Sequence, residues 1–207
     1  MSGSVTRSME ATTNRATAVV ESSRRSMPSG WIGMILLIAT EATLLGCLIA
    51  TYFYLRFKVV DWPPPGIEKP SLTLPLVFTG MLIASCAPFF AGVQAAKAGL
   101  ARAAWLLIAS ATAIQATYLG LQIHLFIDDL NKFAPDETAY GSVYFAMVGA
   151  HHAHVAVGLA FDAWLLAKLL GGLTNYRLLG VRVVALYWYF VAATAIPVVL
   201  TQLYPSL

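Results

Sequence analysis

The sequence predicts an all-α integral membrane protein, built as a bundle of five transmembrane helices. Of its 207 residues, 58% are hydrophobic and only 11% are charged, whereas a soluble domain carries about 25% charged residues. The apolar residues also form five runs, each long enough to cross a hydrocarbon core of about 30 Å. A soluble core could not cover so much apolar surface. The net charge of +3 is too small and too dispersed to indicate a nucleic-acid partner.

The chain divides into a polar segment and a membrane domain. Residues 1–29 are rich in Ser, Thr, Ala and Arg, and residues 30–207 contain all five apolar runs. The first segment lacks the apolar region and the cleavage site that a secretory signal needs. We therefore interpret residues 1–29 as a flexible cytoplasmic basic tail.

The first predicted span covers about residues 31–54, and Glu41 is its only ionisable residue. Trp31, and either Tyr52 or Tyr54, suit the two membrane interfaces, where aromatic residues concentrate. The loop after this span contains the run WPPPG at 62–66, which is stiff and cannot be helical.

The second and third predicted spans cover about residues 74–96 and 103–127. Pro75 suits a helix start, and Pro88 is expected to kink the helix interior. The third span carries Gln115, Gln122 and His124 towards its end, and an acidic loop follows it.

The fourth and fifth predicted spans cover about residues 140–170 and 181–204. The glycine pair at 171–172 is expected to end the fourth helix. The fifth span contains the aromatic run YWY at 187–189.

The distribution of Lys and Arg predicts the orientation of the bundle, because cytoplasmic loops are enriched in basic residues. Five spans put the two termini on opposite sides. Nine basic residues lie on the N-terminal side and four on the other. We therefore predict a cytoplasmic N-terminus and an outside C-terminus. The nine are Arg7, Arg15, Arg24, Arg25, Lys97, Arg102, Lys168, Arg177 and Arg182, and the four are Arg56, Lys58, Lys69 and Lys132.

Polar residues in the fourth span fall on one helical face. Steps of three or four residues place six side chains on one stripe: Tyr144, Met147, His151, His154, Gly158 and Asp162. Polar groups at that depth are costly and usually face a bundle interior or a site. The stripe is explained either by hydrogen bonds between helices or by a functional site. Metal binding is not favoured, because His152 points away from this stripe and a complete site needs three or four converging ligands.

Glu41 is a lone carboxylate in a span, which is costly unless it is protonated or paired. Counted at ~1.5 Å per residue, Glu41 lies roughly 16 Å from the cytoplasmic end of its helix. His151 and His154 lie roughly 16 Å and 21 Å from the outer end of theirs. In a hydrocarbon core of about 30 Å these depths nearly coincide. We therefore predict that Glu41 lies in the bundle interior, close to these histidines.

Four stretches of the chain resemble subunit III of the haem–copper respiratory oxidases, in its five-span bacterial form. The stretch ATEATLLGCLIATYFYLR at 39–56 is similar to the family's first common helix with its buried Glu. Residues 118–122, YLGLQ, are similar to its GLQ segment. The stretch VGAHHAHVAVG at 148–158 resembles TGFHGLHVIIG, and YWYFV at 187–191 resembles YWHFV. The resemblance covers about residues 31–204.

The chain departs from the family's motifs at several polar positions. His124-Leu125 follows Gly-Leu-Gln where the family usually has Tyr-Glu. Tyr189 and Ala192 replace the His and Asp of YWHFVD, and His152 replaces a Gly.

The resemblance implies a subunit without a redox centre, which supports the core subunit and proton uptake in aerobic respiration. Haem and copper are expected in partner subunits, and none in this chain. Subunit I is implied as a direct partner, together with other oxidase subunits and membrane lipids. The resemblance also implies two helices packed against three around a cleft that holds phospholipid, with Arg56, Gln122 and Trp188 as cleft candidates. Glu41, His151, His154 and Asp162 are then the candidates for proton uptake or buried structural polarity.

Three other functions remain open at the level of sequence. The family includes accessory proteins of nitric oxide reductases. A proton- or cation-coupled transporter could use Glu41, His151 and Asp162, although a relay of acidic pairs through several helices is not seen. A purely structural membrane scaffold would need none of these groups for activity.

Overall fold

The computed structural model describes residues 28–67 and 73–203, and most of these residues form five long α-helices. Each is long and apolar enough to cross a membrane, which confirms the five-helix all-α fold. The predicted N-terminal tail, apart from its last two residues, lies outside the described ranges. In chain order the helices are α1 Ser29–Arg56, α2 Thr73–Lys97, α3 Ala101–Leu130, α4 Ala139–Leu169 and α5 Asn175–Leu203.

The observed helices are mostly longer than the predicted spans, and α5 differs most. It begins at Asn175 rather than near Val181, and the Thr174 hydroxyl accepts a hydrogen bond from the backbone N–H of Arg177 (3.2 Å). The polar residues at its start hide this turn from a search for apolar runs. Helical backbone continues there because a membrane-spanning segment must satisfy its polar groups internally.

The two ends of α4 follow ordinary capping chemistry. Thr138 precedes the helix in extended backbone, and its side chain accepts from the N–H of Gly141 (3.0 Å). This is a standard N-cap arrangement. At the other end Gly172 has φ +85°, a left-handed conformation that glycine adopts without steric cost. The glycine pair therefore follows the helix end, as the sequence predicts.

Helices α4 and α5 form the centre of the bundle. Over the apolar stretch of 18 residues in each helix, 50% of the residues are buried in α4 and 56% in α5, compared with 11% in α1. The pair α2 and α3 packs together and against α5 and α4, while α1 packs on the other side of α4 and α5. We refer below to α2 and α3 as the pair and to α1, α4 and α5 as the trio.

The interface between this pair and this trio is filled by side chains. Trp188 of α5 and Gln115 of α3 have 0% exposure there, and Tyr118 has 1%. The lipid cleft that the resemblance implies between two and three helices stays a prediction, and the described residues close this particular interface. The cause is a set of large buried side chains that interdigitate, as in other protein interiors.

Gly158 lets α4 and α5 approach closely. A Cβ placed on Gly158 would lie 2.7 Å from Cζ2 and 3.0 Å from Cε2 of Trp188. Only a glycine leaves room for the indole ring, as small residues do where membrane helices approach closely.

Candidate functional site on the buried face of α4

The predicted stripe on α4 is buried along its whole length. The stripe begins near the start of α4 at Tyr144, whose hydroxyl donates to Asp129 near the end of α3 (2.6 Å). Towards the other end, three polar groups follow at helical spacing: His151, His154 and Asp162. Because α4 is surrounded by α1, α3 and α5, these groups meet different neighbours.

His154 is paired with Glu41 across the contact between α4 and α1. His154 Nε2 lies in hydrogen-bond contact with Glu41 Oε2, and His154 Nδ1 contacts the backbone carbonyl of Ala150. The His154 side chain is 5% exposed and that of Glu41 is 28% exposed. Glu41 therefore lies next to one of the predicted histidines, His154, while its own side chain stays partly exposed at the edge of the bundle.

The two contacts of His154 determine which of its ring nitrogens must carry a proton. A carbonyl oxygen only accepts, so Nδ1 must carry a proton that it donates to Ala150. Nε2 then either accepts from a protonated Glu41 or donates to its carboxylate as an imidazolium. In both cases one proton is shared between Glu41 and His154.

Helix α5 holds the backbone of α4 in place at His154. The Tyr187 hydroxyl donates to the carbonyl of His154 (3.0 Å). His154 is thus bound to α1 through its ring and to α5 through its backbone, which orients the imidazole.

Asp162 lies at the centre of a second polar cluster. Oδ1 accepts from Trp188 Nε1 (2.9 Å), and Oδ2 accepts from the hydroxyl of Thr112 (3.0 Å). The side-chain amide of Gln115 is oriented so that its nitrogen donates to Oδ2 of Asp162 (2.9 Å). Its oxygen then accepts from the hydroxyl of Ser85 (3.2 Å). The cluster joins α2, α3, α4 and α5 through one carboxylate.

The donors around Asp162 were not predicted from the sequence. Thr112, Gln115, Tyr118 and Gln122 recur every three or four residues along α3, which places them on one face. That periodicity is a signal that could have identified them as partners for the polar face of α4.

His151 does not join the pair formed by Glu41 and His154. It is 2% exposed, and its ring packs edge-on against Tyr118, with centroids 6.4 Å apart. Neither ring nitrogen has a hydrogen-bond partner in the described structure. His152 lies on another face, as predicted, with its ring against Phe126. The exposed His124 lies 3.2 Å from Asp128 on α3.

Two of the three residues implied as lipid-cleft candidates lie inside the protein. Trp188 is 0% exposed, which leaves no surface for a lipid chain. Gln122 is buried and its amide donates to the Tyr118 hydroxyl (3.3 Å). Arg56 is half-buried at the end of α1, where Nη1 donates to the carbonyl of Val59 (3.3 Å). In residues 28–67 and 73–203, no group of three or more His, Cys, Asp or Glu is arranged to hold a metal ion.

The motifs on this face agree with a comparison to known families. Residues 12–204 match the family model of cytochrome c oxidase subunit III. The chain belongs to the cytochrome c oxidase subunit III family. This membership confirms the resemblance to haem–copper oxidase subunits seen in the sequence.

Relatives in this family include subunits of oxidases with different electron donors. The chain is 29% identical over 164 residues to a cytochrome c oxidase subunit 3 of Bacillus subtilis, which covers 78% of this chain and 79% of the relative. It is 30% identical over 162 residues to a cytochrome bo(3) ubiquinol oxidase subunit 3 of Pseudomonas aeruginosa, covering 76% of each. A cytochrome c oxidase subunit 3 of Thermostichus vulcanus is 26% identical over 166 residues.

Proposed function

We propose that this chain is the accessory, non-redox subunit of a haem–copper terminal oxidase, and that it supports the core subunit and its proton uptake. The observation that carries the proposal is the pair formed by Glu41 and His154. Because Glu41 is partly exposed at the edge of the bundle, this pair is suited to supply protons to a neighbouring subunit or to buffer them. The transporter alternative lacks a comparable path, because the Asp162 cluster involves other partners.

Helix α1 is the element that we propose faces a partner in the assembly, with subunit I as the partner that family membership suggests. It is the least covered helix of the bundle, and it presents several exposed apolar side chains. Glu41 lies on this helix and is 28% exposed, so a partner packed on α1 could reach its carboxylate. The exposed set includes Ile32, Ile35, Leu36 and Leu44.

Purification of the native complex tests this function. A tagged chain at native expression, extracted in mild detergent, is expected to bring with it a haem-bearing subunit and oxygen-consuming activity. The measurement combines a visible haem spectrum with oxygen uptake. A stable particle without haem or partner subunits would contradict the proposal, and haem with nitric oxide consumption but no oxygen uptake would support the reductase alternative.

We propose a bacterial plasma membrane location with the N-terminus in the cytoplasm, which the bias of nine basic residues to four supports. Single cysteines at Ala98 and Asp136 lie in exposed loops that this orientation puts on opposite sides. With Cys47 and Cys86 replaced by alanine, only Asp136→Cys should react with an impermeant maleimide added to intact cells. Labelling of Ala98→Cys under the same conditions, with Asp136→Cys protected, would reverse the orientation.

We further propose that an anionic phospholipid binds a groove at the cytoplasmic ends of α2 and α5. The groove has a volume of about 180 Å³, and its lining combines Phe90, Val93 and Leu186 with Lys97 and Arg182. Neither cation has a carboxylate partner among the described residues, and Arg182 lies over the Trp31 ring. Basic pockets between helices on the cytoplasmic side bind anionic headgroups.

Lipid analysis of the purified protein tests this groove. The combined change Lys97→Gln and Arg182→Gln is expected to lower the anionic phospholipid retained through delipidation, because the headgroup loses both cations. Lys58→Gln with Lys132→Gln removes the same charge from the other side of the membrane and serves as the control. Equal retention by both double variants would exclude the groove as the binding site.

A further inference from the structure

A small cavity on the outer half of the bundle lies apart from the pair formed by Glu41 and His154. All four helices α2 to α5 contribute to its wall. Its polar lining comes from Thr79, Tyr118, Gln122, His151, His152 and Gln202, and Val148 of α4 with apolar side chains of α5 completes it. No role described above uses this cavity.

His151 is the residue whose bonding is incomplete. Its side chain is 2% exposed and lines the cavity, yet neither Nδ1 nor Nε2 has a protein hydrogen-bond partner. A neutral imidazole has one donor and one acceptor nitrogen. Burying such groups unpaired costs about 1–3 kcal/mol each, so nearly all buried polar groups have a protein or water partner.

We propose that this cavity is a binding site for a single water molecule, held by His151 and by polar groups of α3 and α5. About 10 Å³ is open to a water molecule, which is room for one. A buried water also needs two to four polar partners, and the lining amides, hydroxyls and imidazole supply them. The space is too small for a hydrated ion or an organic ligand.

The bound water gives His151 a different chemistry from His154. Both ring nitrogens of His154 are occupied by Glu41 and Ala150, whereas His151 bonds to an exchangeable molecule. The water also connects α4 to Gln122 of α3 or Gln202 of α5, which no direct hydrogen bond of His151 does. His151 therefore contacts a water molecule directly, whereas the ring nitrogens of His154 contact only protein atoms.

Solid-state NMR of the full chain in bilayers, with ¹⁵N-labelled histidine, tests the site. Magnetisation transferred from water should appear on the ring nitrogen signals of His151, which are assigned by their loss in His151→Gln. His154 is the internal control, since its nitrogens are bonded to protein and should receive little direct transfer. The combined change Gln122→Leu and Gln202→Leu removes two water partners and should reduce the His151 signal while leaving that of His154.

Two results would overturn the proposal. One is a His151 signal that receives no more transfer from water than that of His154. The other is a His151 transfer signal that is unchanged when both glutamines are replaced by leucine. If the double variant fails to fold, a high-resolution density map of the intact wild-type protein decides the question. Density within hydrogen-bond distance of a His151 nitrogen supports the site, and an empty cavity excludes it.

Discussion

Gly158→Ala is expected to destabilise the bundle strongly. The new Cβ would lie 2.7 Å from Cζ2 of Trp188, and the ring cannot retreat freely because Nε1 donates to Asp162. Either α4 and α5 separate or the indole moves and breaks this bond. Overpacking of this kind costs typically ~1–3 kcal/mol. A buried donor or acceptor left without its hydrogen bond would add roughly 1–3 kcal/mol.

Thermal or denaturant unfolding in mild detergent measures this effect. Gly120→Ala is the matched control, because an added Cβ at Gly120 meets nothing within 4 Å. In a helix interior that change should be neutral or stabilising by up to about 1 kcal/mol. Equal stability of the Gly158 and Gly120 variants would show that the contact between α4 and Trp188 is not as tight as described.

Glu41→Gln is expected to preserve assembly and to weaken sustained turnover of the complex. The glutamine amide can still donate to Nε2 of His154, so the contact between α1 and α4 is retained. The amide cannot release a proton, and the shared proton is lost from the pair. We expect a fall in sustained turnover on the order of threefold to tenfold, equivalent to roughly 0.6–1.4 kcal/mol in a rate-limiting barrier.

Glu41→Leu separates the structural from the proton-handling role. It leaves Nε2 of the buried His154 without a partner, which costs about 1–3 kcal/mol and should loosen the assembly. If Glu41 only joins the helices, the Gln variant keeps full turnover and the Leu variant alone is impaired. That result would contradict the proton role in the proposed function.

Asp128→Asn is the matched control for both Glu41 variants. Asp128 also faces an imidazole, that of His124 at 3.2 Å, but the two side chains are 45% and 76% exposed. Surface pairs of this kind contribute less than about 1 kcal/mol. Turnover and assembly should therefore remain close to those of the unchanged protein.

Much of the candidate site could be predicted from the sequence, because helical periodicity is a local property. The spacing from Tyr144 to Asp162 places six residues on one face of α4, and all six are buried. The apolar runs likewise predicted the five helices. The start of α5 was missed because Tyr176 and Arg177 interrupt the apolar pattern, although the backbone is helical there.

The partners of that face required the tertiary structure. His151 and His154 are one turn apart, and a rise of ~1.5 Å per residue separates them by only about 4.5 Å in depth. Depth in the membrane, estimated by counting residues along each helix, cannot decide which of the two histidines contacts Glu41. The rotation of α1 about its own axis and its contact with α4 decide it, and they assign the carboxylate to His154.

The sequence by itself determined that this is a five-helix membrane protein of the subunit III family, and which face of α4 is polar. Only the tertiary structure decided that His154 pairs with Glu41, that Asp162 meets Trp188 and Thr112, and that His151 lines a cavity. The physical reason is that hydropathy and periodicity act within one helix. The contacts between helices depend on their relative rotation and on the fit of side chains such as Trp188 over Gly158.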